Sequence, residues 1–188
     1  MLLDQAVDFF SNQVRVNPWD AYSFLMRAKV WLEANEEPDK TIADYSRAIR
    51  LDPQRAQAYY ARGLALEETG ALEKAISDLE PAIRLGPGHC IMYVARGNIW
   101  ADKKDFDRAI ADYNEEIRLD PKNAGARADR GRAWLLKGNL EKAVVEFDSA
   151  VKLDSKNAYA LYCRAVSLFV TRQKGALDEF QAALELGG

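Results

Sequence analysis

One stretch of letters recurs along this chain at a fixed interval. Pro53, Pro87 and Pro121 stand 34 residues apart, and Ser155 takes the next beat. Between the beats the text is nearly constant: AYYARGLALEETGALEKAISDLEPAIRLGP at 58–87, MYVARGNIWADKKDFDRAIADYNEEIRLDP at 92–121 and ARADRGRAWLLKGNLEKAVVEFDSAVKLDS at 126–155. A period of this length marks one supersecondary unit stacked on copies of itself, each packing only on its neighbours. The 188 residues would otherwise suit one or two globular domains. A stack needs no single central core.

Residues 124–155 show the unit. AGARADRGRAWLLK carries apolar and small residues at helical spacing and stops at Gly138, a residue suited to a left-handed helix cap. After Asn139 the helical period resumes, with Leu140, Ala143, Val144, Phe147, Ala150 and Val151 on one face. Asp154-Ser155-Lys156-Asn157 closes the unit with turn chemistry. Each unit is thus predicted to be a helix hairpin, and no segment alternates in the manner of a strand.

Small residues recur where the two helices must approach: Ala28, Gly63, Gly97, Gly131 and Ala165 in the first helices, Ala75, Ala109, Ala143 and Ala176 in the second. Large ones fill the space beside them, namely Trp31, Leu66, Trp100, Trp134 and Leu168, then Tyr45, Leu79, Tyr113, Phe147 and Phe180. Large beside small is what close helix packing requires. This order, closed by Asp-Pro, resembles the tetratricopeptide repeat (TPR) family over nearly the whole chain. The resemblance implies an all-α, right-handed α-solenoid of helix-turn-helix TPR hairpins forming a single array over 1–188. Its parts are a half repeat at 1–20, where Ala6, Phe10 and Pro18 match Ala109, Tyr113 and Pro121, and about five full repeats at 21–55, 56–89, 90–123, 124–157 and 158–188.

Four departures from the pattern stand out. The turn in ANEEPDK has one extra residue and is followed by Thr41 in place of alanine, while the turn in VTRQKGAL is one residue short. Pro81 lies inside a second helix, where it removes a backbone hydrogen bond and is expected to kink it; with Gly86-Pro87-Gly88 this marks the joint between the second and third repeats for altered superhelical curvature. Glu116 replaces the alanine found at Ala48, Ala82, Ala150 and Ala183, and is expected to snorkel outward or loosen the packing.

A charge pattern accompanies the packing pattern. An arginine precedes the small residue of every first helix (Arg27, Arg62, Arg96, Arg130, Arg164), and an acid precedes the large residue of every second helix (Asp44, Asp78, Asp112, Glu146, Glu179). The half repeat has no first helix, and Phe9 stands in the acid's place. The acid occurs only where its arginine exists, which predicts five ion pairs, one across each hairpin. The rival reading is an arginine row that grips phosphate or carboxylate-rich partners.

Several functions are argued against. A net charge of −3 with 26 basic and 29 acidic residues offers no electrostatic grip on nucleic acid or an anionic membrane. No apolar run reaches 18 residues and no secretory leader is evident, so a cytoplasmic protein is the expectation. Cys90 and Cys163 fall in different repeats, too far apart for a disulfide. His89 beside Cys90 lacks a third ligand or an orienting group, and no phosphate loop or nucleophile motif is present. No metal, no cofactor and no catalysis are expected.

In proteins similar to this one, the first helices line a concave surface that holds a peptide or helix. The positions implied here are Tyr22, Leu25, Lys29, Tyr60, Leu64, Val94, Asn98, Arg132, Tyr159 and Tyr162, with Gln57, Ile91, Ala128 and Val166 beside them. The Lys/Asn clamp by which chaperone-adaptor members hold a C-terminal carboxylate is missing: the matching positions are Leu25 and Lys29, Tyr60 and Leu64, Val94 and Asn98, then Asp129. The expected function is a non-catalytic scaffold for a protein or peptide partner. The alternative is RNA binding by a related helical-hairpin repeat. The apolar face of LDEFQAALELGG has no polar capping helix, so homo-oligomerisation through that end is a further expectation.

Overall fold

The computed structural model describes residues 2–34, 38–172 and 175–187. Among them are eleven α-helices and no strand: α1 (Leu2–Val16), α2 (Ala21–Glu33), α3 (Pro38–Leu51), α4 (Ala56–Glu68), α5 (Leu72–Leu85), α6 (Cys90–Asp102), α7 (Phe106–Leu119), α8 (Ala124–Leu136), α9 (Leu140–Leu153), α10 (Ala158–Val170) and α11 (Ala176–Gly187). The fold is an all-α helical repeat. By its internal packing the chain falls into two compact units, residues 1–92 and 93–188.

The inter-helix turns repeat as faithfully as the helices. Gly70, Lys104 and Gly138 all have positive φ, at 76°, 61° and 88°. Each turn closes with the same two bonds: the Gly138 N–H donates to Leu135 O at 2.9 Å and the Asn139 N–H to Trp134 O at 2.8 Å, matched by Gly70 to Glu67 with Ala71 to Leu66, and by Lys104 to Ala101 with Asp105 to Trp100. These are Schellman caps, which need a left-handed residue at this place. Glycine fits there without cost, whereas Lys104 adopts it with a Cβ in a crowded position. Parts of the turns in ANEEPDK and VTRQKGAL lie outside the described residues.

Helix starts are capped where the sequence supplies an Asx side chain. Asp20 accepts from the Tyr22 and Ser23 N–H groups, Asp105 from Arg108, Asn123 from Ala126, Asn139 from Lys142 and Asn157 from Ala160, at 2.9–3.2 Å. Pro38 opens α3, where its missing N–H costs nothing. Pro81 does not interrupt α5, which runs unbroken from Leu72 to Leu85.

The large residues of the second helices, Tyr45, Leu79, Tyr113 and Phe147, are fully buried, and the small residues opposite make room for them. A Cβ added to Gly131 would stand 2.6 Å from Phe147 Cε1, and one added to Gly97 would stand 2.9 Å from Tyr113 Cε1. Tryptophans near the hairpin turns are covered by cations from the second helix: Lys40 over Trp31, Arg108 over Trp100 and Lys142 over Trp134, at 5.1, 3.6 and 4.1 Å from the ring centroids. Such cation–π contacts screen an aromatic face that would otherwise meet water.

All five predicted ion pairs are present. Arg27, Arg62 and Arg96 each grip their aspartate with Nε and Nη2, at 2.6 and 2.8 Å for Asp44, 2.6 and 2.6 Å for Asp78, and 2.9 and 2.7 Å for Asp112. Arg164 makes the same two-point contact with Glu179, its Nε donating to Oε2 at 2.8 Å. Arg130 differs. Its Nη2 donates to Glu146 Oε1 at 2.7 Å, but Arg130 Nε and Glu146 Oε2 are buried with no partner among the described residues. The guanidinium also reaches back one repeat: Arg27 Nη1 to Ser11 at 3.4 Å, Arg62 Nη1 to Ser46 at 2.9 Å, Arg130 Nη1 to Asn114 at 2.7 Å, and Arg164 Nη1 to Asp148 at 3.6 Å. The row is therefore committed to structure, tying second helices to the first helix between them.

Candidate partner-binding face

In the first unit, Tyr22 and Lys29 on α2 are exposed, and Tyr60 and Leu64 on α4 are half-buried. Leu25 does not belong with them. It is 2 % exposed and sits in a core cluster with Ala28, Tyr45, Ala48, Ile49, Ala58 and Ala65. The small Ala58 and Ala65 let α4 close over it, so its side chain is packing and the expectation of a contact residue is corrected. Ala128, at the corresponding place on α8, is fully buried for the same reason.

The second unit carries more polar chemistry. Val94 and Asn98 on α6 and Arg132 on α8 are half-buried, while Tyr159 and Tyr162 on α10 are exposed at 38 % and 54 %. The Tyr113 hydroxyl donates to Asn98 Oδ1 at 2.8 Å, which orients the Asn98 amide group. The Tyr159 hydroxyl donates to Asp129 Oδ1 at 3.1 Å across the α8–α10 contact. Tyr162 stacks edge-on with Phe180, centroids 5.8 Å apart, so its ring is held rather than free.

Electrostatics bind these groups into one cluster. Burial raises the Tyr113 hydroxyl above its ordinary value, reinforced by the Asp129 charge and opposed by Arg132. Burial likewise raises Tyr159, with Asp129 adding to it. Asp129 is itself pushed up by burial, against the Tyr159 hydrogen bond and Arg132. Cys163 is raised to about 11 by burial, leaving an inert thiol at neutral pH. Both cysteines are free.

Glu116 is another residue that sequence reasoning misplaced. It is 3 % exposed rather than snorkelled outward. Asn123 returns from the closing loop to donate to its Oε1 at 2.9 Å, while Oε2 is buried with no partner among the described residues. Burial, helped by the Asp129 and Asp120 charges, raises its pKa from 4.5 to about 7. The one available signal was negative: a carboxylate at an alanine position has to be accommodated, and Asn123 seven residues on is the neutral side chain that does so.

Some expectations concern other surfaces. No group of three His, Cys, Asp or Glu with metal-binding geometry occurs among the described residues, and none of their helices is long and apolar enough to cross a membrane. On α11, Leu177 and Leu184 are exposed, and nothing in the structure shows what covers them.

Comparison with known proteins fits this architecture. Two family profiles, both described as tetratricopeptide repeat, match residues 28–96 in one case and 74–124 and 94–158 in the other. Among solved structures, a MamA crystal structure superposes with a TM-score of 0.79 at 26 % identity, covering 83 % of this chain and 91 % of that one. YrrB, described as a TPR protein with an unusual peptide-binding site, gives 0.77 at 22 % identity over 96 % of this chain and 93 % of its own. MamA from Desulfovibrio magneticus RS-1 gives 0.80 at 20 % identity over 89 % and 94 %. With the repeat period, the hairpins and the profiles in agreement, the chain belongs to the tetratricopeptide repeat family.

Proposed function

We propose that this chain is a non-catalytic scaffold that recruits a peptide or partner protein on its first helices, with the second unit as the principal contact. The observation that carries this is the pairing of Asn98 and Arg132. They stand at equivalent places in successive repeats, 34 residues apart. Tyr113 occupies Asn98 Oδ1 and Tyr159 occupies Asp129, so tyrosine donors are spent on acceptors. The Asn98 amide N–H groups remain as donors, as do those N–H groups of the Arg132 guanidinium not turned to Tyr113, with Tyr159 and Tyr162 exposed beside them. Donors at a regular spacing suit the carbonyls of an extended peptide, and tyrosines add stiff contact area at low entropic cost. The peptide-binding site of YrrB lends support through the shared fold. Tyr22, Lys29, Tyr60 and Leu64 form the proposed contact set of the first unit.

The test is quantitative pull-down from a lysate, comparing the wild-type chain with Asn98→Ala/Arg132→Ala and with Tyr162→Ala. A specific partner should drop about tenfold in each variant, measured at a temperature where circular dichroism shows both variants fully helical, since about 1.4 kcal/mol lost per contact gives that factor. Unchanged capture by both variants refutes the assignment. Salt-sensitive retention of single-stranded RNA on a filter, abolished by the same substitutions, would replace it with the RNA-binding reading.

A further inference from the structure

Each second helix carries a large residue four places after a small one, and only the first hairpin puts a hydroxyl on both. Thr41 stands where Ala75, Ala109, Ala143 and Ala176 stand, and Tyr45 where Leu79, Tyr113, Phe147 and Phe180 stand. Thr41 is 1 % and Tyr45 0 % exposed, and neither hydroxyl has a hydrogen-bond partner among the described residues. Tyr113 shows what is missing. Its hydroxyl donates to Asn98 Oδ1, whereas Lys29 holds that place on α2, and an ammonium accepts nothing. A buried unpaired hydroxyl works against folding, and the other hairpins pack with alanine at the one place and leucine or phenylalanine at the other.

Thr41 also lines a cleft of about 160 Å³, together with Trp31 and Leu32 of α2 and Ala65 and Glu68 of α4. One water needs only about 10–15 Å³ of such room, so the cleft admits something larger. A helical threonine has two accessible rotamers, which lets its hydroxyl turn toward a guest. The electrostatics favour a cation. α2 and α4 both end at the cleft, with the negative ends of their dipoles, and Glu68 is exposed there. Burial first, then the Glu33 and Glu68 charges, raise the Tyr45 hydroxyl to about 12, so both carboxylates act within its reach. Lys40 already lays its ammonium over the Trp31 ring, 5.1 Å from the centroid. Trp31, Leu32 and Ala65 supply apolar contact for a short stem.

We propose that this cleft binds a primary ammonium on a short alkyl stem, a lysine side chain or a small free amine, with the Thr41 and Tyr45 hydroxyls and the Glu68 carboxylate as acceptors. The site lies in the first unit and involves neither Asn98 nor Arg132, so it is independent of the proposed partner face.

The probes are n-butylammonium, n-butanol and butyrate, titrated against the isotope-labelled full chain while the backbone amide shifts of Thr41 and Ala65 are followed by NMR. Butylammonium should bind about tenfold more tightly than butanol, as a charge-assisted hydrogen bond exceeds a neutral one, and butyrate should not bind. Thr41→Ala and Tyr45→Phe install what other hairpins carry, so both should melt at or above the wild type while losing about fivefold in butylammonium affinity. A short peptide with one central lysine that binds more tightly than butylammonium assigns the ammonium to a partner chain, and equal affinity assigns it to a free amine. Butanol or butyrate matching butylammonium, no binding by any probe, or unchanged affinity in both variants would each overturn the proposal.

Discussion

Removing a single arginine from the ladder should cost more than removing its whole ion pair. Arg62 holds Asp78 by two bonds of 2.6 Å, and Asp78 is only 6 % exposed. Arg62→Met deletes both and leaves the carboxylate where water barely reaches. Breaking a buried pair from one side costs roughly 3–5 kcal/mol. The guanidinium is about one-fifth exposed, with a side-chain accessibility of 21 %, so the low end applies, about 3 kcal/mol. The bond to Ser46 adds roughly 1 kcal/mol. Arg62→Met/Asp78→Leu removes both charges and fills the gap, so it should recover most of the loss, leaving it within about 1 kcal/mol of the wild type. The half repeat already shows an aromatic in the acid's place. Urea denaturation followed by circular dichroism gives the free energies, and hydrogen exchange should localise the weakening to α4 and α5, as expected when each repeat contacts only its neighbours. If Arg62→Met changes stability by less than about 0.5 kcal/mol, or if the double variant is no better than the single, the ladder is surface decoration.

Three further outcomes test the interior and the turns. Gly131→Ala should destabilise by about 2 kcal/mol because its Cβ would stand 2.6 Å from Phe147, while Gly63→Ala, 3.2 Å from a yielding Leu79 side chain, should fall within about 1 kcal/mol of wild type; thermal melts should separate the two. Lys104→Gly should stabilise by about 1 kcal/mol by relieving a left-handed lysine, and Gly138→Lys should destabilise by a similar amount, both measurable in urea. Glu116 is a carboxyl whose folded pKa lies above its unfolded one, so the folded state holds the extra proton. Stability should then fall as pH rises from 4.5 to about 7, by roughly 3 kcal/mol, and Glu116→Gln should flatten that slope.

How far the letters reached depended on whether a feature recurs. The hairpins and the arginine–acid pairs repeat in register, so each copy checks the others, and Phe9 supplies a built-in exception. Features decided by a neighbour's size were harder to read. Leu25 shares its place with Tyr60, Val94 and Tyr162, yet Ala58 and Ala65 let it sink into the core. Glu116 occurs once, and its burial depends on Asn123 folding back from the next loop. Lys104 is opaque for another reason: the left-handed turn is set by the bonds of the cap around it, and the lysine accepts the strain. The Arg130 contact shows the same limit, since Glu146 pairs at one point where Glu179, the same residue type, pairs at two.

The backward reach of the arginines has a mechanical consequence. Within four of the five hairpins the two helices are clamped by paired charged bonds, and in the fifth by a single one. Between hairpins the same guanidinium offers one bond, to a serine or asparagine in three of the four described cases. A chain pulled from its two ends should therefore part at the joints before the clamps, shedding one hairpin at a time. Each release of 34 residues would lengthen the tether by roughly 110–120 Å at 3.3–3.6 Å per residue, so a force–extension trace should show evenly spaced steps.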